Sequence, residues 1–412
     1  MRTFINFLKL PNILNLFLLA ILIRLLLMPF YFHPDIKTYH FQSSHLQKGV
    51  FNIYSYLTEN KQNLPIREEF VYFPLTYLFL GTYQIAASPL LGGDFNNWLS
   101  DASVESVNRV GTFRYLFLLK LPYLIFDLMV AFLLIKFFNS ELQKKQAFVL
   151  WLFNPFSLGL IYLFSNLDIL PVFLSLISLL LFRNQRFLLS GFILALAIGF
   201  KAYPILFLPF LLLNIKDLKK AILMTAVTLG TVVAIILPFW STAFLNSAFV
   251  SGLTTRLSFP GILIGFGEAL MVGVVLLSVL FFGALNLKKS LEDSWYYLLA
   301  VLLIVFSSIH FHIQWLLWII PYLILFYIHQ RENGKLVWIW LFLASLIPLL
   351  YDDKSMTISL LSAVSPLYNL LPTPFLILQH FYDPFLTQGV IHSVIFGICL
   401  VLLFKISKAI KT

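Results

Sequence analysis

Residues 13–32 read ILNLFLLAILIRLLLMPFYF, and residues 33–35 that follow read HPD. The run has the roughly 20 residues that an α-helix needs to cross a bilayer. It is too long for a signal-peptide core and has no small-residue cleavage site behind it, so it reads as a retained helix. Outward from it, comparable runs recur at Tyr115–Lys136, Ala147–Phe164, Ile169–Phe182, Phe187–Phe200, Pro204–Leu213, Ala221–Phe239, Gly261–Leu285, Trp295–Ile309, Ile313–Ile328, Leu336–Leu350 and Gly389–Phe404. The pattern predicts an all-α polytopic membrane protein of about 12 helices. Two of these runs, Phe187–Phe200 and Pro204–Leu213, are short enough to form half-length helices or a re-entrant unit.

Composition agrees. Of 412 residues, 60% are hydrophobic and 11% charged, and the mean hydropathy is +0.90. Soluble domains carry about 25% charge, so a soluble enzyme, a disordered chain and a disulfide-built secreted domain are excluded. Cys399 is the single cysteine, which excludes an internal disulfide and a cysteine metal cluster.

The 28 basic and 18 acidic residues give a net charge of +10. On a greasy chain this charge reports sidedness rather than nucleic acid, which is not expected as a partner. One set of helix ends holds Arg2, Lys9, Lys136, Lys144, Lys145, Arg183, Arg186, Lys216, Lys219, Lys220, Lys288, Lys289, Arg331, Lys335, Lys405, Lys408 and Lys411. Those 17 positives face five acids, a net of +12, and the remainder of the chain carries −2. The positive-inside rule makes that set cytoplasmic, with both termini inside. Residues 33–112 then form a large first exoplasmic loop. The apolar stretch Tyr72–Leu91 becomes a juxtamembrane or re-entrant helix, although a true span is the alternative. Further outer ends fall near 240–260, at His310–His312 and at 351–388. No linker divides the chain, so residues 1–412 read as one membrane domain.

Ionisable residues at membrane depth are candidate functional groups, and the informative ones gather at the outer ends. Asp35 could take a proton from a hydroxyl or hold a metal, or simply cap the helix that begins there. His33, His40 and His45 share its loop without metal-ligand spacing. Asp168, in Ser165-Asn166-Leu167-Asp168, could be a site carboxylate or a helix cap. Lys201, in Phe200-Lys201-Ala202-Tyr203-Pro204, breaks a long apolar segment on the side that the positive-inside trend leaves poor in cations. It suits a lipid phosphate, or it snorkels to headgroups. Arg256 could pair a phosphate through two hydrogen bonds or meet lipid. His310, His312 and Gln314 punctuate two aromatic-rich helices. Asp127 is expected to face the bundle and pair with a cation, and Glu268 is a second buried-charge candidate. Together the outer residues suit a hydroxyl acceptor and a phosphate leaving group.

Several motifs carry a resemblance. They are Pro34-Asp35-Ile36-Lys37-Thr38-Tyr39, Gly49 to Tyr54, Tyr72-Phe73-Pro74-Leu75-Thr76, Leu119-Lys120-Leu121-Pro122 with Phe126-Asp127, and Trp151-Leu152-Phe153-Asn154-Pro155. They continue through Asn166-Leu167-Asp168, Phe200-Lys201-Ala202-Tyr203-Pro204 and Gln314-Trp315-Leu316-Leu317-Trp318 with Pro321. In this order, from about residue 33 to 321, they resemble the GT-C superfamily of membrane glycosyltransferases. The likeness is greatest to the mannosyltransferases that add the first mannose of glycosylphosphatidylinositol anchors, and to their bacterial relatives. The resemblance implies a GT-C fold and an inverting transfer of a hexose, mannose by analogy, from a polyprenyl-phosphate donor to a lipid or glycan acceptor on the exoplasmic face. It implies Asp35 as the catalytic carboxylate and Lys201 at the donor phosphate. Tyr72, Asp168, Tyr203, Arg256, His310, His312 and Gln314 are expected to bind substrate. That family carries Asp-x-Asp in the first loop where this chain has Lys37, so the expected chemistry needs no cofactor, or uses a divalent metal held by other groups. Residues 330–412 lie beyond the resemblance as variable C-terminal helices open to acceptor specificity. The competing readings are a transporter or flippase, against which the absence of a repeated half counts, and a polymerase of lipid-linked sugars. The chain ends Lys-Ala-Ile-Lys-Thr, which is not a two-lysine retrieval signal, so a bacterial plasma membrane is expected.

Overall fold

A computed structural model describes residue 7 and residues 12–250, 253–258, 261–287 and 290–411. Arg2, Lys9, Lys288 and Lys289 of the charge count lie outside the described residues. The described residues are about 76% helical. The longer helices are α1 (Ile13–Leu27), α2 (Pro34–Ser44), α3 (Ile53–Asn60), α4 (Pro74–Leu91), α5 (Thr112–Leu134), α6 (Glu141–Leu152), α7 (Ile169–Arg183), α8 (Phe187–Phe200) and α9 (Leu218–Ile236). A hairpin follows, β1 (Gly261–Gly265) and β2 (Glu268–Met271), then α10 (Val272–Ala284), α11 (Ser294–Ser308), α12 (Ile320–His329), α13 (Gly334–Leu349) and α14 (Pro384–Lys411).

Among the described residues three helical stretches, Thr112–Phe137, Leu218–Phe239 and Pro384–Ile410, are long and apolar enough to cross a membrane, or four if the bent pair Glu141–Leu152 and Pro155–Leu163 counts as one. Ile169–Arg183, Phe187–Phe200, Ser294–Ser308 and Gly334–Leu349 are helical much as the sequence suggested, whereas the run from Ile13 is helical only to Leu27 and other runs break for local causes. α6 stops before Asn154-Pro155, and the chain bends by 40° there. α8 stops at Phe200 because Lys201 is extended (φ −155°, ψ 141°), and Pro204 opens a 3-10 turn over Tyr203–Phe207. This bears out a broken helical unit around Lys201. The expected span Gly261–Leu285 is corrected. Its first half is the antiparallel β1–β2 hairpin, turned by Gly265 and Gly267 at positive φ, and only 272–284 is helical. Glu268 is therefore an exposed strand residue, not a buried charge.

The core is one continuous apolar cluster with a smaller one beneath α2 and α4. α11 is buried on all 15 residues, as a helix apolar on every side must be. Polar pins hold α1, α5 and α6 together. The buried Arg24 of α1 donates to Asp127 of α5 at 2.5 Å and to the Leu152 carbonyl of α6 at 3.0 Å. Trp151 and Tyr162 complete the Asp127 carboxylate at 2.7 Å each. Lys120 donates to the carbonyls of Met28, Tyr31 and Tyr162, closing the C-terminal end of α1. These bonds anchor the chain immediately before His33 and Asp35. α4 lies along α2, where Gln84 donates to the His40 carbonyl at 3.0 Å, and Thr76 donates to the Phe200 carbonyl of α8.

Arg331 bonds Gln146, Arg183 lies over Phe137, and His329 stacks between Phe138 and Trp295. Asp35, Lys201 and Arg256 meet elsewhere, around one cavity.

Candidate active site

A cavity of about 420 Å³ opens between the start of α2, the 66–73 segment, the Lys201 break, Arg256 and the 312–318 turn. Asp35, Tyr72, Lys201, Tyr203, Arg256, His312 and Gln314 all line it. Asp168 and His310 stand one layer behind. Several of these residues sit at helix ends or breaks: Asp35 in the first turn of α2, Lys201 just after α8 and Gln314 in the 3-10 turn 313–318.

Asp35 sits at the N-terminal turn of α2. The cap is His33, whose Nδ1 accepts the Asp35 amide at 3.2 Å. The carboxylate is thereby released from capping and faces the cavity, where Gln314 Nε2 donates to Oδ2 at 3.0 Å. Gln314 is held in turn by Asn166, whose side chain donates to the Gln314 carbonyl at 2.6 Å. Asp168 occupies the N-cap of α7 but makes no side-chain cap. Its Oδ2 instead accepts from Lys201 Nζ and Trp318 Nε1, each at 2.7 Å. Its Oδ1 is buried without a hydrogen-bond partner.

Lys201 is caged. Its ammonium lies 4.7, 5.4 and 5.0 Å from the ring centres of Tyr72, Trp315 and Trp318. Burial pushes its pKa down, and the Asp168 carboxylate pulls it back up. Arg256 lies 4.7 Å over the same Trp315 ring and donates to His312 Nε2 and to the His310 carbonyl. His310 itself packs against Tyr351, outside the cavity. Burial, with Arg256 second, lowers His312 to about 4, so it is neutral at pH 7 and free to accept from the guanidinium. Tyr203 stacks on Trp318 at 4.0 Å and 4°, which sets the floor.

The sequence reading named neither tryptophan as a site residue. The signal was present. A 3-10 helix repeats every three residues, so Trp315 and Trp318 in Ile313–Trp318 share one face, with rings 5.1 Å apart. Glu68 was also missed. It lines the cavity, and burial, then Asp35, raises its pKa. Among the described residues no group of three or more His, Cys, Asp or Glu could hold a metal ion. His33 caps α2, Asp35 accepts from the Gln314 amide and His312 faces the Arg256 guanidinium.

A carboxylate in one cavity with two cations on one indole can remove a proton from a hydroxyl placed there, while the cations receive an anion. The model of Glycosyltransferase family 87 matches residues 123–348. GPI mannosyltransferase 1 of Saccharomyces cerevisiae is 31% identical over 98 residues, 23% of this chain and 24% of that protein. The chain thus spans about a quarter of the length of that relative. No solved structure matches the chain.

Proposed function

The chain belongs to glycosyltransferase family 87 and is a GT-C-type membrane glycosyltransferase, and from that premise we propose that it moves mannose from a polyprenyl-phosphate donor to a lipid or glycan hydroxyl. Asp35 accepts the proton of the acceptor hydroxyl. The hydroxyl oxygen bonds the anomeric carbon as the carbon–oxygen bond to phosphate breaks, in one in-line displacement with inversion. Lys201 and Arg256 take the charge of the departing phosphate. Gln314 orients Asp35, Asp168 holds Lys201, and His312 holds Arg256. The reaction needs no metal, because two cations already serve the leaving group. The site faces the exoplasmic side of a bacterial plasma membrane, both termini are cytoplasmic, and the shorter apolar helices bring the crossings to about 12.

One observation carries the reading: Asp35, Lys201 and Arg256, far apart in sequence, line the same cavity. The test is Asp35→Asn assayed in membranes with labelled polyprenyl-phosphate mannose. Transfer is expected to fall roughly a thousandfold while the thermal melt stays that of the wild type. Full transfer by the variant would sink the assignment.

A further inference from the structure

The starts of α8 and α9 enclose a cavity of about 400 Å³ that shares no wall with the active-site cavity. α8 has 14 residues, so its far end, where Lys201 follows, stands about 20 Å away at 1.5 Å per residue. The two helices touch at Gly191, where a Cβ would meet Thr228 Oγ1 at 2.7 Å and the Met224 carbonyl at 2.9 Å. The cavity is formed by residues that precede this contact on both helices. Leu188, Leu189 and Leu223 line it as apolar walls, and Arg186 and Lys220 line it as cations. A tight turn delivers Arg186: Gln185 takes φ +61°, and the Arg186 amide bonds the Leu181 carbonyl at 2.9 Å.

Charge and apolar surface are left unmatched together here. No acid lines the cavity, and among the described residues neither Arg186 nor Lys220 enters an ion pair. Asp217, the acid nearest to Lys220 in the chain, is turned onto the amides of Lys219 and Lys220 at 2.9 and 3.3 Å, where it caps α9. The three leucines stay exposed beside the two cations. A free phosphate would answer the cations and leave the leucines, and a neutral lipid would do the reverse. A glycerophospholipid of net negative charge answers both. Its phosphodiester oxygens accept from the guanidinium fork and face the lysine as a point charge, while its acyl chains cover the leucines. Cations on an open surface attract such lipids diffusely. Walls contributed by two helices make this cleft a site for one.

We propose that this cleft binds one anionic glycerophospholipid, in the leaflet that the basic set of helix ends faces. The lipid fastens the start of α8 to α9, and α8 carries Lys201 at its other end. The inference does not depend on the transferase reading.

The test is native mass spectrometry of the full chain in detergent, with dioleoyl phosphatidylglycerol as probe and dioleoyl phosphatidylcholine as its zwitterionic counterpart. One phosphatidylglycerol per chain is expected to stay bound, and phosphatidylcholine is not. Arg186→Gln/Lys220→Gln is expected to weaken retention roughly twentyfold. Leu189→Trp keeps both cations and fills the cleft from an exposed position, and it is expected to weaken retention as well. Lys144→Gln/Lys145→Gln removes two cations of the same set elsewhere and is expected to leave retention unchanged. Phosphatidylglycerol should also raise the Tm of the wild type and not of the Arg186/Lys220 variant, as a ligand of the folded state does. Equal loss in the Lys144/Lys145 variant would show diffuse attraction, and displacement by inorganic phosphate would show a bare anion site. Stronger retention of polyprenyl phosphate than of phosphatidylglycerol would assign the cleft to the donor lipid. Each of these, or undiminished retention in either the Arg186/Lys220 variant or Leu189→Trp, would overturn the proposal.

Discussion

Lys201 is under two demands at once. The aromatic cage removes it from water, and Asp168 compensates the charge. Removing the cation alone, as in Lys201→Met, leaves a buried carboxylate with only Trp318 as donor, and is expected to cost about 3–5 kcal/mol, read as a lower melting temperature. Lys201→Arg keeps the charge but not the compact ammonium that fits among three rings. We expect it to restore the melt and not the donor KM. Trp315→Leu tests the other side. It leaves Asp168 paired but removes the indole that both Lys201 and Arg256 face, so it should raise donor KM with little loss of stability. Asp35 and Lys201 were legible in the sequence because a charge interrupting an apolar run is conspicuous. The tryptophans were hidden because indoles are common in membrane helices, and only the three-residue turn puts them on one face.

Helix ends, more than helices, place the site. The Arg24–Asp127 pair locks α1 to α5 a few turns of chain before Asp35. Asp127→Ala would strand a buried guanidinium and is expected to destabilise by about 3–5 kcal/mol. The double variant Arg24→Met/Asp127→Leu should recover most of that in a melt, which separates a structural pin from a catalytic group. The expectation that Asp127 pairs within the bundle holds, although its partner Arg24 sat unremarked within the opening run. A close approach fixes α4 on α2. A Cβ on Gly81 would meet Leu46 at 2.7 Å and the Ser43 carbonyl at 2.8 Å. Element type was readable where apolar periodicity ran long, as in α5, α9 and α14. It failed at 261–271, where a hydrophobic stretch with glycines at Gly265 and Gly267 turned back on itself as a hairpin. An apolar run alone does not separate helix from strand.

Across the molecule, buried imidazoles set an acid limit. His40 and His45, in the first loop, are held down by burial to about 3 and about 4, and His312 to about 4. In the unfolded chain they titrate near 6.5. Between pH 6.5 and about 4 the unfolded state therefore binds protons that the folded state refuses, and stability falls as pH drops through that window. A flat melting temperature from pH 7 to 4.5 would contradict this. The described ends of the basic set that meet one another, around Arg183, Gln146 and Arg331, do so away from the cavity that gathers Asp35, Lys201 and Arg256.

The turn Ile313–Trp318 advances 120° per residue, and Gln314, Trp315 and Trp318 each serve a different neighbour through it. Adding or deleting one residue there would swing an indole a third of a revolution out of contact with its cation. Length in this segment is thus as constrained as composition. A change in donor preference has to arise by substitution on its outward faces, and loop grafts across it should fail even when every side chain is retained.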